Sequence, residues 1–327
     1  MSLVYPNSLL RERKRVNAVL TKRIKLLFDD PYLAQEVLRC VLPGRKVRSI
    51  LFLKTVQQLN PGVEKSGVSA VLASIELIHG ASVLVDDMLD SDQFRHGVTT
   101  TESTWQKSKS ILFAHLLGST AIQSLDQFPG LQRQIALVYH KMCIGEMHDV
   151  LLVPGDWIYQ GYDVRTVQKT CALFEFVLAS AQILAKSTGR NLHLDKIGRQ
   201  MGMLYQLSND FYDWQAYGIE KRHLPTQSWP ITFSFPLAVY LSKYSERQIS
   251  KHLKKKILTH DEWLEFISRL WKPDVRCACE ETIAKTQKEL LGLIQKSSCP
   301  DSLKQLYQTF VNLIVTEGFW YHIYEME

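Results

Sequence analysis

Two groups of side chains in this sequence are spaced so that each lies on one helical face. Asp86, Asp87 and Asp90 close the apolar run Ile75–Leu84, and Asn209, Asp210 and Asp213 close the run Met201–Leu207. Residues three and four apart share a helix face, so each group offers two or three oxygen ligands to one space. Negative charge beside apolar residues costs several kcal/mol unless a cation neutralises it. Hard oxygen donors suit Mg²⁺, which keeps several waters and shares substrate phosphates. His79, seven residues before Asp86, lies on the same side of that helix as Asp86 and Asp90. Cations stand close by: Arg95-His96-Gly97 follows the first acidic group, and Gly44-Arg45-Lys46-Val47-Arg48 opens a helix whose N-terminal N–H groups favour an anion. The chemistry this suggests is a diphosphate held by magnesium between two facing helices. Taken alone, the first acidic segment also reads as a solvated ion-pair cluster, the less favoured alternative, whereas the basic loop at Gly44 to Arg48 reads first as an ordinary surface loop.

Positioning these groups requires long helices. Apolar residues recur with helical period, β-type alternation is scarce, and helices are predicted over 8–28, 31–41, 46–59, 66–91, 105–125, 129–152, 164–188, 194–217, 229–243, 246–270, 274–297 and 301–320. Breaks fall at Pro43-Gly44, Asn60-Pro61-Gly62, Phe128-Pro129-Gly130, Pro154-Gly155-Asp156 and Pro225 to Pro230. No repeat or low-complexity linker separates the acidic helices. One all-α domain over residues 1–327, with a site at the bundle centre, is expected.

Composition sets further bounds. Of the 327 residues, 46% are hydrophobic and 22% charged, ordinary globular usage that supports a sizeable core. The net charge of +6 suits an anionic ligand; the basic residues are spread along the chain, so no nucleic-acid partner is expected. Cys40, Cys143, Cys171, Cys277, Cys279 and Cys299 show neither zinc spacing nor the density of a disulfide scaffold, and read as reduced thiols. No secretory signal is visible and no run of about 18 apolar residues occurs, so a soluble, cytoplasmic protein without stable membrane insertion is expected. The basic stretch Arg11 to Arg15, continued by Lys22, Arg23 and Lys25, reads as a solvated helix face or as an amphipathic helix on a membrane surface, with the former favoured.

The chain resembles the polyprenyl synthetase family, the all-trans isoprenyl diphosphate synthases. That family's first aspartate-rich motif matches Asp86, Asp87 and Asp90, and its Arg-Arg-Gly-x-Pro-Thr segment matches Arg95 to Thr100. An early Gly-Gly-Lys-Arg-x-Arg-Pro element is similar to Pro43 to Ser49, and Glu-Leu-x-His is Glu76 to His79. The Gly-Gln-x-x-Asp helix is similar to Gly145 to Asp149, the Lys-Thr pair is Lys169-Thr170, and Tyr205-Gln206 precede the second acidic motif. These landmarks run in order over residues 43–236.

The resemblance implies the helical bundle of the isoprenoid (class I terpenoid) synthase type, with a central cavity. It implies condensation of an allylic prenyl diphosphate with isopentenyl diphosphate, with Mg²⁺ (three ions) bound beside the allylic diphosphate. By it, Asp86 and Asp90 ligate two metals with support from Asp87, while Asn209, Asp210 and Asp213 hold the third. Arg95, Lys169 and Lys221 contact the allylic diphosphate, Arg45, Lys46, Arg48, His79 and His96 bind isopentenyl diphosphate, and Thr170 and Gln206 lie beside the reacting carbons. A homodimer is implied, with the helices near 105–152 carrying enough Leu, Ile and Phe for both a core face and an interface. Ser82 and Ala81, four and five residues before Asp86, are small where bulky aromatics in the family stop growth at the farnesyl stage. The product is therefore expected to exceed farnesyl length, geranylgeranyl being the best single choice, with a floor built from Ile78, Phe113, Leu116 or Leu117.

Several positions depart from the family pattern. Asn209 stands for an Asp, His96 for an Arg, Glu102 for a His, Glu146 for a Gln, and Ile231-Thr232 occupy the place of a late Gly-Lys element. The allylic half is thus better preserved than the homoallylic half. A class I terpene cyclase, which needs only the allylic diphosphate, and a weakly active subunit of a heteromeric synthase remain as alternatives. Retention of Arg45, Lys46, Arg48 and His79 argues against the first, and the intact first motif against the second.

Overall fold

The computed structural model describes residues 7–90, 94–95, 98–99, 107–151, 159–187, 192–216, 229–230, 233–253, 255 and 257–316. At its centre runs α4 (Lys65–Asp90), on which Val71, Leu72, Ala73, Ile75, Leu77 and Ile78 are fully buried. A helix apolar on most sides needs neighbours all round. Here they are α1 (Asn7–Leu27), α2 (Pro31–Val41), α3 (Val47–Leu59), α5 (Lys107–Gln123), α6 (Pro129–Leu151) and α8 (Ala172–Leu184). Val16, Leu20 and Ile24, at the four-residue repeat, turn one side of α1 inward. Asp30 caps α2, its carboxylate accepting from the Tyr32 and Leu33 N–H groups, with Pro31 in the first turn.

The expected helix over 164–188 is interrupted. Short α7 (Tyr159–Thr166) passes into one π turn, Val167–Cys171, before α8 resumes. A π turn inserts a residue and re-aims the side chains that follow; this one contains Lys169 and Thr170. Against it lies α9 (Leu194–Ala216), whose Gly198 and Gly202 make the approach possible. A Cβ at Gly198 would lie 2.4 Å from the Phe174 carbonyl oxygen, and one at Gly202 2.7 Å from the Cys171 Cα.

The remaining elements are α10 (Phe235–Lys243), α11 (Ser250–Leu253), α12 (His260–Leu270), α13 (Pro273–Lys296) and α14 (Asp301–Ile314). The single helix predicted over 246–270 is several pieces, because Thr259 and Glu262 form a capping box that starts α12 afresh. Two antiparallel pairs of two residues each, Phe94–Arg95 with Val98–Thr99 and Trp229–Pro230 with Ile257–Leu258, are all the strand structure among the described residues. The all-α expectation therefore holds, with one continuous core. Two stretches, Lys65–Leu89 and Gly161–Leu184, are long and apolar enough in their average to cross a membrane, but more than half of each apolar window is buried inside the bundle.

Candidate active site

The C-terminal turns of α4, the π turn and the middle of α9 converge. Lys169 links them: its Nζ lies 2.6 Å from Glu146 Oε2 on α6 and 3.5 Å from Asp86 Oδ1 on α4. Gly145 makes room for this, since a Cβ there would fall 2.6 Å from the Lys169 Cγ. Burial pushes the Glu146 carboxyl up to about 8; Asp86 adds to the rise and Lys169 opposes it. Thr170 Oγ1 donates to Gln206 Oε1 (2.7 Å), and Gln206 Nε2 donates to Asp210 Oδ1 (2.7 Å). On the exposed edge of α9, Asn209 Nδ2 donates to Asp213 Oδ2 across one turn (2.9 Å).

The second cluster lies further down α4, with Lys46 and Glu76 buried and Arg48 and His79 half-buried. Arg48 stacks between Phe174 on α8 (4.9 Å) and Tyr205 on α9 (5.4 Å) and meets His79 Nε2 at 3.2 Å. Burial lowers its pKa, while Tyr205 and Glu76 oppose the shift, so an arginine there stays charged. Glu76 is the internal counter-ion. One oxygen takes the Lys46 ammonium at 2.9 Å and the other accepts from Ser49 Oγ at 2.5 Å. Lys46 has left-handed backbone (φ 57°), a conformation costly for a side chain with a Cβ, at the point where the basic loop enters α3.

Two of the expected site residues have partners inside the protein. Lys46 was expected to bind a substrate diphosphate, but its side chain is almost wholly buried, bonded to Glu76 and the Pro43 carbonyl. Asp210 was expected to ligate a metal, but its two oxygens already accept from Gln206, from the Tyr162 hydroxyl and from the Phe235 N–H, the last two at 2.9 Å. Burial raises its pKa and these donors pull it back. Tyr162 sits beside Arg165, whose guanidinium stacks on Phe233 and donates to the Phe233 carbonyl. Asp210 thus fastens α9 to α7 and to the start of α10.

Asp87 is buried beside Asp86, which is partly exposed. Arg45 is half-buried at the mouth of the basic loop. Ala81 is buried and Ser82 half-buried, its hydroxyl donating to the His79 carbonyl. His96, Lys221 and the side chains of Asp90 and Arg95 lie outside the described residues. Sequence reasoning missed Tyr162, Arg165 and the Gly198/Gly202 pair; the small-x-x-x-small spacing was the one available signal.

The architecture is the helical bundle of the class I terpenoid fold. It matches the crystal structure of a geranylgeranyl pyrophosphate synthase from Lactobacillus brevis with a TM-score of 0.79, at 20% identity over 94% of this chain and 97% of that one. It matches that of a decaprenyl diphosphate synthase from Rhodobacter capsulatus with a TM-score of 0.81, at 17% identity over 94% and 98%. The polyprenyl synthetase family model matches residues 31–267, and the chain belongs to that family. Among curated relatives, the octaprenyl diphosphate synthase of Haemophilus influenzae is 27% identical over 53% of each chain. The geranylgeranyl diphosphate synthase of Mycobacterium tuberculosis is 25% identical over 57% of this chain and 55% of its own. Aligned regions thus span about half the length of these relatives.

Proposed function

We propose that the protein is a Mg²⁺-dependent prenyltransferase that condenses an allylic diphosphate with isopentenyl diphosphate into a longer all-trans prenyl diphosphate. The observation that carries this is the presence of two cationic centres at α4: Lys169 beside Asp86, and half-buried Arg48 with His79 further along the helix. A reaction that joins two diphosphates needs two anion sites, whereas a cyclase needs one.

The donor set fits magnesium. Asp86 on α4, and Asn209 and Asp213 on α9, offer hard oxygens at a partly exposed edge, and Asp90 follows Asp86 by four residues in the sequence. When bound, the metal would draw negative charge off the departing diphosphate. Lys169 and Arg95 would bind that diphosphate, and Arg45, Arg48 and His79 the isopentenyl diphosphate, with Lys46 held out of contact. Thr170 and Gln206 would line the space where the carbons meet. Asp210 would position α9 and not ligate.

The product would exceed farnesyl length, with geranylgeranyl the best choice, because Ala81 and Ser82 leave no aromatic floor near Asp86. Ile78, Leu117 and Phe113, all buried in the α4–α5 contact, would close the tunnel deeper down. A homodimer is supported by the exposed apolar side chains Ile111 and Leu112 on α5 and Leu137 and Met147 on α6. The deciding experiment incubates pure protein and Mg²⁺ with allylic diphosphates, with and without isopentenyl diphosphate, and sizes the products. Elongated prenyl diphosphates only when both substrates are present support the reading. Hydrocarbon or alcohol products from the allylic diphosphate alone would establish a cyclase, the reading that the burial of Lys46 favours. Products capped at farnesyl, or a monomer by sedimentation at micromolar concentration, would overturn the respective finer claim.

A further inference from the structure

Basic side chains occur throughout the chain, but their excess does not. Helix α1 holds seven cations and one acid, an excess of six that equals the net charge of the whole protein. The structure orders this charge. At about 100° per residue, Arg11, Lys14, Arg15, Ala18, Lys22, Lys25 and Leu26 fall on one arc of roughly 120°, and every one of them is exposed. No acidic residue lies on that arc. The single acid of the helix, Glu12, sits off to the side, paired with Lys54 at 2.5 Å and 3.9 Å from Arg15. The opposite face, with Val16, Leu20 and Ile24, is buried in the core.

We infer that this arc is a docking surface for an anionic lipid bilayer. Three features choose the partner. The stripe is straight and about 23 Å long at 1.5 Å per residue, matching a flat anionic surface. It ends in Leu26, 68% exposed among its cations, and Tyr32 opens the next helix 71% exposed; headgroups and acyl chains accept such side chains, whereas a phosphodiester backbone has no use for Leu26. Finally, the apolar face of α1 is committed to the core, so the helix cannot roll into the membrane: contact is peripheral, electrostatic and salt-sensitive. Asp29 and Asp30 follow the helix, and Asp30 is spent capping α2. The surface is independent of the proposed chemistry, and substrate-free protein suffices to test it.

The test is sedimentation of the full chain with phosphatidylcholine vesicles, with or without 30% phosphatidylglycerol, at about 50 and 200 mM salt. Duplex DNA runs as the competing polyanion. Binding is expected only to the anionic vesicles and should weaken as salt rises. Each cation removed is expected to weaken it about fivefold, so Lys14→Gln with Lys22→Gln should lower the partition coefficient about twenty-five-fold. Leu26→Ser should weaken vesicle binding without changing the retention of the protein on DNA. These positions are exposed, and unchanged circular dichroism will show that the variants fold. Failure to bind anionic vesicles at low salt overturns the inference. So does binding to duplex DNA that is tighter than to vesicles and indifferent to Leu26→Ser, which would make the stripe a nucleic-acid surface.

Discussion

Lys46 and Lys169 each face a glutamate, at 2.9 and 2.6 Å, yet the two pairs live in different media. The Lys46 and Glu76 side chains are 4% and 3% exposed; those of Lys169 and Glu146 are 27% and 17% exposed. A buried pair cannot exchange partners cheaply, because separating its charges leaves each one unsolvated. Around Lys46 the charges are therefore architecture: they fix the loop that brings Arg48 to His79. Lys169 is a different case. It is reachable from solvent, has two carboxylates to choose between, and stands on a π turn that aims it. The half around the buried Lys46–Glu76 pair is built before any ligand arrives, while the wet half is held in a provisional arrangement.

The sharpest way to break this comparison is to remove one counter-ion from the buried pair. Glu76→Ala should destabilise the fold by about 3–5 kcal/mol, since it strands a buried ammonium, and thermal melting should show a large fall. Adding Lys46→Met should recover most of the loss, because an apolar pair of similar volume needs no counter-charge. If the single variant melts like the parent, the pair is not the structural element described. On the wet side, Asp86→Ala should leave melting nearly unchanged and lower turnover by about 10²–10³, the usual scale for losing one element of charge stabilisation. Steady-state rates and circular dichroism on the same sample check both halves of that statement.

Between the halves runs the contact of α9 with the π turn. Gly202→Ala would push a methyl to 2.7 Å from the Cys171 Cα, a backbone neighbour that has little room to yield. A cost of about 1–3 kcal/mol is expected, together with a lower kcat as Gln206 is carried away from Thr170. Loss of stability without loss of kcat would show that the close approach serves packing alone.

How much of this was legible in the sequence differs between the halves as well. Asp86 and Asp87 lie on the last turns of α4, as periodicity predicts for that segment, because a helix face follows from spacing alone. Spacing does not say which way a loop lysine turns, so Lys46 was expected at a diphosphate and is found on Glu76, thirty residues away. Nor does it reveal that Asp210, in an exposed-looking motif, meets Tyr162 and the N–H of Phe235 from two other helices. Those are tertiary facts. The break before α12 was readable, since Thr259 and Glu262 have capping-box spacing; the π turn was not, because an inserted residue leaves the apolar pattern almost unchanged.

The smallest expected effect probes the provisional arrangement itself. Glu146 stands where relatives of the family pattern carry a glutamine, and it gives Lys169 a carboxylate partner 2.6 Å away. An arriving diphosphate must share the ammonium with that carboxylate and tolerate its negative charge nearby. The Glu146 carboxyl is pushed up to about 8, so it carries its full charge only above that pH; there Glu146→Gln keeps the shape while removing the charge, and inorganic diphosphate with Mg²⁺ should bind tighter at pH 9 and little differently at pH 7. The pair is partly solvated, and pairs of that kind are worth about 0–1 kcal/mol, so a gain of about two- to fivefold is expected by calorimetry. Thermal stability should move little for the same reason. Weaker binding in the variant would mean that Glu146 helps to hold the metal and does not compete for the lysine, and the wet half would then be a five-ligand cluster in place of a lysine waiting to change partners.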